Sequence, residues 1–181
     1  MNPFDEFAVE EALLIREKIP ESRVDAVTVG PEGATTVVRR AMGMGADHGI
    51  HIVNEASDSD PFVTASLMAQ YAKGRDYGLI LAGVMSEDDM QGAVGPMAAA
   101  LLSLPCATAV IAERMSPDGQ SVVVERELEG GIREVVEIGL PALLTIQSGI
   151  NRPRYPSLSN ILRAKGRHLE NIAADTLTVT P

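Results

Sequence analysis

Apolar positions fall at helical spacing at the start of the chain and switch to strand-like runs soon after. Phe4, Phe7, Ala8, Glu11 and Leu14 follow steps of three and four residues behind Asn2 and Pro3. An Asn can cap free N–H groups and a Pro is tolerated in the first helical turn, so the first element is predicted to be a helix. VDAVTV, residues 24–29, is a β-branched run stopped by Gly30 and Pro31, followed by a helical stretch through Thr35, Val38 and Met42 that closes in the glycines of 43–45. This strand, turn, helix unit repeats: a strand over 49–53, a helix over 61–73, a strand over 77–82, a polar loop over 83–92 and a helix over 93–104. Such alternation predicts an α/β fold, Rossmann-like, with a mainly parallel sheet flanked by helices and right-handed crossovers.

From Cys106 onward the pattern changes. ATAVIAERM, SVVVEREL, REVVEIGL and ALLTIQ read as strands with short connections at 117–119 and at Gly130 and Gly131, so antiparallel hairpins are expected in the C-terminal half, joined to the edge of the sheet. SGINRPRYPSLSNILRAK then reads as a proline-bearing exposed loop entering a short helix capped by Ser157 or Ser159. The tail to Pro181 is polar and weakly patterned, and no internal repeat appears beyond the alternation itself.

Composition narrows the class. With 181 residues, 45% hydrophobic and 22% charged, the chain can bury roughly 70% of its unfolded surface in one folded domain. Aromatics are only 3%, so the core must be built from Val, Ile, Leu, Ala and Met, as suits helices packed on a buried parallel sheet. A net charge of −10 excludes phosphate-backbone binding, which needs clustered Lys and Arg; nucleic acid is not an expected partner. Cys106 stands alone and reads as a small buried hydrophobe in a reducing compartment. The acidic N-terminus resembles no targeting peptide, and no apolar run approaches the roughly 20 residues of a membrane span, so a cytoplasmic protein without membrane insertion is expected.

In an open parallel sheet, ligands bind beyond the carboxyl ends of the strands, here near Gly30 and Pro31, at Asn54, and in the loop after Ala82. The last is the richest. It reads GVMSEDDMQGAVGPM: Gly83 ends a strand, Gly92 and Gly95 permit close backbone approach, and the following helix aims free N–H donors and a partial positive charge at the same place, suited to a phosphate. Glu87, Asp88 and Asp89 offer acceptors to ribose hydroxyls, or alternatively ligands to Mg²⁺. No P-loop and no GxGxxG fingerprint is present. His48 and His51 are too near the turn into a strand to form a helical metal pair and read as solvated or capping residues. Arg152, Arg154, Tyr155 and Leu158 gather guanidinium, aromatic and aliphatic groups in one loop, a mix that often anchors protein interfaces.

Taken together, MNPFDEFAVEEAL, TVGP, AMGMGADHGIHI, LILAGVMSEDDMQGAVG, VERELEGGIREVVEIGLPALLT and NRPRYPSLSNILRAK occur in the order of, and resemble, the electron transfer flavoprotein beta subunit. The resemblance implies an adenine nucleotide alpha hydrolase-like domain over 1–150, with 151–181 as a recognition loop, short helix and shortened C-terminal arm. It implies a subunit with no substrate reaction of its own that holds AMP, or a second FAD, beside an alpha subunit carrying the main FAD. Acyl-CoA or other flavin dehydrogenases, as in fatty acid β-oxidation, are the implied electron partners. It further implies that Asn2, Pro3, Phe4, Asp5, Val29, Gly30, Gly83, Asp88, Asp89, Gln91, Gly92, Ala93, Val94 and Gly95 line the nucleotide. Arg154, Tyr155, Pro156, Ser157, Leu158, Ser159, Asn160 and Ile161 are the implied recognition loop, with Leu158 as its apolar anchor. Met90 and Ala93 stand where the family usually has polar residues, so backbone N–H groups are expected to make the phosphate contacts. The family also carries a strand and long loop before the NPF motif, and that strand and one wall of the site are expected to be missing here. Two other readings fit the same scaffold: a stress-protein-like nucleotide sensor and an Mg²⁺-dependent nucleotide hydrolase.

Overall fold

The computed structural model describes residues 1–55 and 60–177. The predicted alternation is present: α1 (Pro3–Lys18), β1 (Asp25–Gly30), α2 (Thr35–Met44), β2 (His48–Val53), α3 (Pro61–Ala72), β3 (Leu79–Gly83) and α4 (Val94–Leu102). The hairpin half follows with β4 (Cys106–Met115), β5 (Ser121–Glu127), β6 (Arg133–Gly139) and β7 (Ala142–Ile146), then α5 (Leu158–Gly166) and β8 (Glu170–Ala173). Local chemistry sets the boundaries. Asp60 caps α3 by accepting the Phe62 N–H at 2.8 Å, with Pro61 in the first turn. Gly45 ends α2 at φ 139°, a conformation side-chain-bearing residues rarely adopt. Ser157 caps α5 by accepting the Asn160 N–H at 3.2 Å, which selects the first of the two expected caps.

The strands form two sheets. β1, β2 and β8 make a wholly parallel three-stranded sheet; β3, β7, β4, β5 and β6 make a five-stranded sheet in that order. β3 and β4 flank β7 in parallel, and β4, β5 and β6 run antiparallel. Two details differ from the reading of the sequence. β7 does not extend the hairpins; it crosses back between β3 and β4, where its five residues are buried on both faces as a parallel strand requires. β8 lies in the tail that carried no clear pattern, because four residues paired along β2 need little propensity of their own. β1 and β3 each lie at an edge of their sheet. Residues 178–181 of the expected C-terminal arm lie outside the described residues.

The core is aliphatic, as the shortage of aromatics required. Val110, Val122, Val124, Leu144 and Ile146 pack with Ala8 and Phe7 of α1, while Ile50, Ile52, Leu67 and Tyr71 fill the space between β2 and α3. Ala65, Ala98 and Ala99 let α3 and α4 approach closely over Leu143. Cys106 is exposed, contrary to the burial expected of a lone thiol, because it opens β4 just beyond the core. Leu144 is fully buried among these side chains, so Leu144→Ala removes packed methylenes with little room for collapse. The expected loss is about 2–5 kcal/mol of unfolding free energy, seen as a lower urea midpoint at unchanged m-value.

Candidate functional site

The first turn of α1 is driven against the end of β3. Asp5 Oδ1 accepts the Gly83 N–H at 2.7 Å, and Asn2 Nδ2 donates to Met85 O at 2.8 Å and to Asp5 Oδ2 at 3.2 Å. A side chain at Gly83 would place its Cβ 2.8 Å from both Asp5 Oδ1 and Phe4 Cβ, so glycine is what permits the contact. Asn2 therefore does not cap α1 with its side chain, as the sequence suggested; its amide is spent across the site. Its Oδ1 is buried and has no hydrogen-bond partner among the described residues. Such an orphaned acceptor needs a donor, which a bound group can supply.

Beyond Gly83 the chain folds on itself, with the Ser86 N–H donating to Gln91 O at 3.0 Å and Met90 held at φ 53°. Gly92 and Gly95 are sterically fixed: a Cβ would stand 2.7 Å from Val84 O at the first and 2.6 Å from Thr145 Cγ2 at the second. The start of α4 has no side-chain cap, so the N–H groups of Val94 and Gly95 lack the partners that helix geometry denies them. Two sterically fixed glycines thus lead into an uncapped helix start, an arrangement that suits a phosphate in the absence of any Lys or Arg in the loop. Asp88, Asp89 and Gln91 are exposed on the rim. No group of three or more His, Cys, Asp or Glu that could hold a metal occurs among the described residues, which leaves Glu87, Asp88 and Asp89 without the geometry the hydrolase reading needs.

Of the sequence-derived site, Asn2, Phe4, Asp5, Gly83 and the 83–95 loop come together. Val29 and Gly30 end β1 in the other sheet, where the Gly30 carbonyl is engaged by the Asn54 N–H and by His51 Nε2, each at 3.0 Å. His51 is buried rather than solvated, since β2 turns it inward and Thr35 Oγ1 lies 3.1 Å from its other ring nitrogen; His48, three residues earlier, faces out. Two cavities, of about 470 and 220 Å³, lie apart from the crevice, one lined by Thr35, Arg39, His51 and Asn171 and the other by His48, Arg167 and His168.

The expected recognition loop is held by residues that sequence reasoning missed. Glu10 on α1 is 4% exposed, and it accepts from the backbone N–H of Arg154 at 3.0 Å and from its guanidinium at 2.8 Å. Glu17 takes the third guanidinium nitrogen at 2.9 Å. Asn151 donates to Glu11 Oε2 at 2.8 Å and to Phe7 O at 3.0 Å. Tyr155 lies outside, with the Arg40 guanidinium 5.7 Å from its ring centre and Arg40 paired to Glu6 at 2.8 Å. Burial alone would raise the Glu10 carboxyl, but the hydrogen bonds and charge of Arg154 outweigh it and hold it below its ordinary range. In the sequence, Glu6, Glu10, Glu11 and Glu17 look like the wet face of a helix; the only hint to the contrary is the pair of arginines in a distant apolar loop.

The electron transfer flavoprotein domain family matches residues 1–177. The chain is 37% identical over 179 residues to the electron transfer flavoprotein subunit beta of Bacillus subtilis (strain 168), covering 98% of this chain and 68% of that one. It is 38% identical over 182 residues to the subunit beta of Bos taurus, with 99% and 70% covered, and 36% identical over 182 residues to the mitochondrial subunit beta of Oryza sativa subsp. japonica, with 99% and 71% covered.

Burial pushes the Asp5 carboxyl above its ordinary value, against the opposing pull of the Gly83 N–H and the Asn2 amide. A carboxyl raised in the folded state contributes stability that is complete below its unfolded value, about 3.9, and is lost as pH climbs through the folded value. Asp5→Asn keeps an acceptor for Gly83 but has no proton to lose. Thermal melts are expected to show the variant gaining on the wild type as pH rises above about 4; a difference in melting temperature that is flat with pH would contradict the assignment.

Proposed function

The chain belongs to the electron transfer flavoprotein family, as its small (beta) subunit, and on that premise we propose that the crevice between Asn2, Asp5 and the 83–95 loop holds AMP, or a second FAD in its place. The orphaned Oδ1 of Asn2, whose amide is bonded to Met85 in the loop that leads to the uncapped start of α4, is the observation that carries this reading. The donors suit a phosphate, Asn2 suits an N–H or hydroxyl of the nucleoside, and the exposed acids of the rim suit ribose hydroxyls. Phe4 adds an apolar wall.

The electron chemistry belongs to flavin, which the family name implies and which is carried chiefly by the alpha subunit. In this reading the chain conducts no substrate reaction. It pairs with that alpha subunit, residues 1–150 form the nucleotide-holding unit, and the segment from 151 presents the recognition loop, with Leu158 as anchor, to acyl-CoA or other flavin dehydrogenases. The rigid hold of α1 on Arg154 and Asn151 supports it, since an ordered loop loses less entropy on docking. No helix among the described residues is long and apolar enough to cross a membrane.

Two measurements test the proposal. Co-expression with the alpha subunit, followed by denaturation and mass identification of released nucleotides, is expected to yield one FAD and one AMP per heterodimer; two FAD would point to an electron-bifurcating type, and no co-purifying flavin subunit would favour the nucleotide sensor. Leu158→Ala is expected to raise the apparent KM of a dehydrogenase for the heterodimer about tenfold or more while the nucleotide content stays constant, as for a central apolar anchor; unchanged transfer kinetics would remove the docking role.

A further inference from the structure

Glu11 of α1 and Glu113 of β4 face each other at hydrogen-bond range where the first helix lies on the five-stranded sheet. Glu11 is 5% exposed and the side chain of Glu113 only 1%, so both carboxyls are shut off from water. Among the described residues their donors can be counted. Asn151 spends both amide hydrogens, one on Glu11 Oε2 at 2.8 Å and one on Phe7 O at 3.0 Å. Lys18 donates to Glu113 Oε1 at 3.1 Å. Glu113 Oε2 is buried and has no donor, and Asn151 Oδ1, itself an acceptor, cannot answer it. The other charges of this helix are committed elsewhere: Glu6 to Arg40, Glu10 and Glu17 to Arg154, and Arg16 to Asp47. On the sheet side Glu113 stands in register with Val124 of β5, a core residue, while β3 and β7 bring apolar side chains and Thr145. Lys18 is therefore the one cation that meets the pair among the described residues.

Two carboxylates and one ammonium leave a buried charge unanswered and a buried acceptor unmatched, both costly. One proton removes both faults. Placed on Glu11, it lets the hydroxyl donate to Glu113 Oε2, while Glu11 Oε2 keeps Asn151 and Glu113 Oε1 keeps Lys18. One negative charge then faces one positive charge. Without the proton, two carboxylates confront each other in a place that water does not reach.

We propose that Glu11 and Glu113 form a proton-operated clasp between α1 and β4: a single proton held between the two carboxyls closes it, and loss of that proton drives the helix and the strand apart. The clasp depends on neither the nucleotide nor the partner reading above. Burial raises the Glu11 carboxyl most, the Asn151 amide opposes the rise, and the facing Glu113 adds to it. A carboxyl raised in the folded state contributes stability that is complete below its unfolded value, about 4.3 for Glu, and is lost as pH climbs through the folded value. The closed state thus belongs to the lower pH. Because α1 also presses Asp5 on Gly83 and holds Asn151, the clasp makes the seat of the whole helix answer to pH.

The test uses the heterodimer with its alpha subunit. At about pH 6 an ordinary Glu is ionised. The infrared carbonyl absorption of a protonated carboxyl is expected in the wild type and is expected to vanish in Glu11→Gln, which has no proton to hold, and in Glu113→Gln, which offers Glu11 an amide N–H instead. Asp5, also raised by burial, is common to all three and cancels in difference spectra. No such absorption in the wild type minus Glu11→Gln spectrum overturns the proposal. Loss in Glu11→Gln but not in Glu113→Gln means that burial alone keeps the proton, and the pair is overturned. A band that persists to about pH 9 makes the proton a fixed part of the fold and overturns the switch. Hydrogen exchange, corrected for its intrinsic rate, reads the clasp itself: opening of α1 and β4 in the wild type is expected to rise by up to about tenfold per pH unit once the proton leaves, with Glu11→Gln flat and α3 unchanged in both. Loss of the infrared band with no rise in opening, or an equal rise in Glu11→Gln, overturns the clasp.

Discussion

Asp5, Glu10 and Glu11 lie on a single helix and are all withdrawn from water, and each is met by a partner from a distant part of the chain: Gly83 at the end of β3, Arg154 in the loop before α5, and Asn151 three residues earlier. A carboxylate that leaves water without compensation is costly enough that the structure must either pair it or keep it protonated. On α1 one carboxyl is pulled down by its partner while its neighbour in the chain is pushed up by burial. Glu10 has its charge answered by a guanidinium in bidentate contact and titrates low. Glu11 is raised by burial first; the amide of Asn151 opposes the rise and the facing Glu113 adds to it. The helix thus fixes the end of β3 at its first turn and the exposed loop at its middle. Either end would have to leave buried polar atoms unmatched in order to move alone.

Much of this architecture is legible in the sequence because local and tertiary preferences agree there. β1 and β2 are β-branched, Pro61 behind a capping Asp starts α3, and glycines close α2, so the alternation of strand and helix stands without knowledge of neighbours. The failures occur where neighbours decide. ALLTI has the composition of any buried strand, and nothing within it says that β4 and β3 will take it between them in parallel. ENIA becomes a strand because β2 offers it a ladder. The acids of α1 were illegible for a related reason: a helix bearing Glu at 6, 10, 11 and 17 looks amphipathic with a wet face, and only the arrival of Asn151 and Arg154 turns that face inward.

The crevice itself was read from the positions of glycine, and the structure gives those positions a steric meaning. At Gly83, Gly92 and Gly95 a methyl group would run into Asp5, a carbonyl oxygen and Thr145 respectively, so the three glycines serve contact rather than turning. None of the three has a positive φ; the left-handed position in this loop belongs to Met90. The three acids of the loop, Glu87, Asp88 and Asp89, are exposed, where water and salt screen them.

Charge and shape separate the two ends of the molecule into different kinds of surface. Around Gly83 and the start of α4, the polar groups without a partner are backbone donors and a single amide oxygen, groups that do not change charge. Around α5, Arg152, Arg163 and Lys165 are exposed and form no ion pair among the described residues, so their influence reaches out to about a Debye length, ~8 Å at physiological salt. Between them runs α1, with Glu6 paired to Arg40 under Tyr155 and Asp5 pressed on Gly83 one residue before. One helix serves both ends by burying its acids: Asp5 in its first turn is pressed on Gly83, Glu10 and Glu11 at its middle hold Arg154 and Asn151, and Tyr155 and Leu158 are left to the solvent.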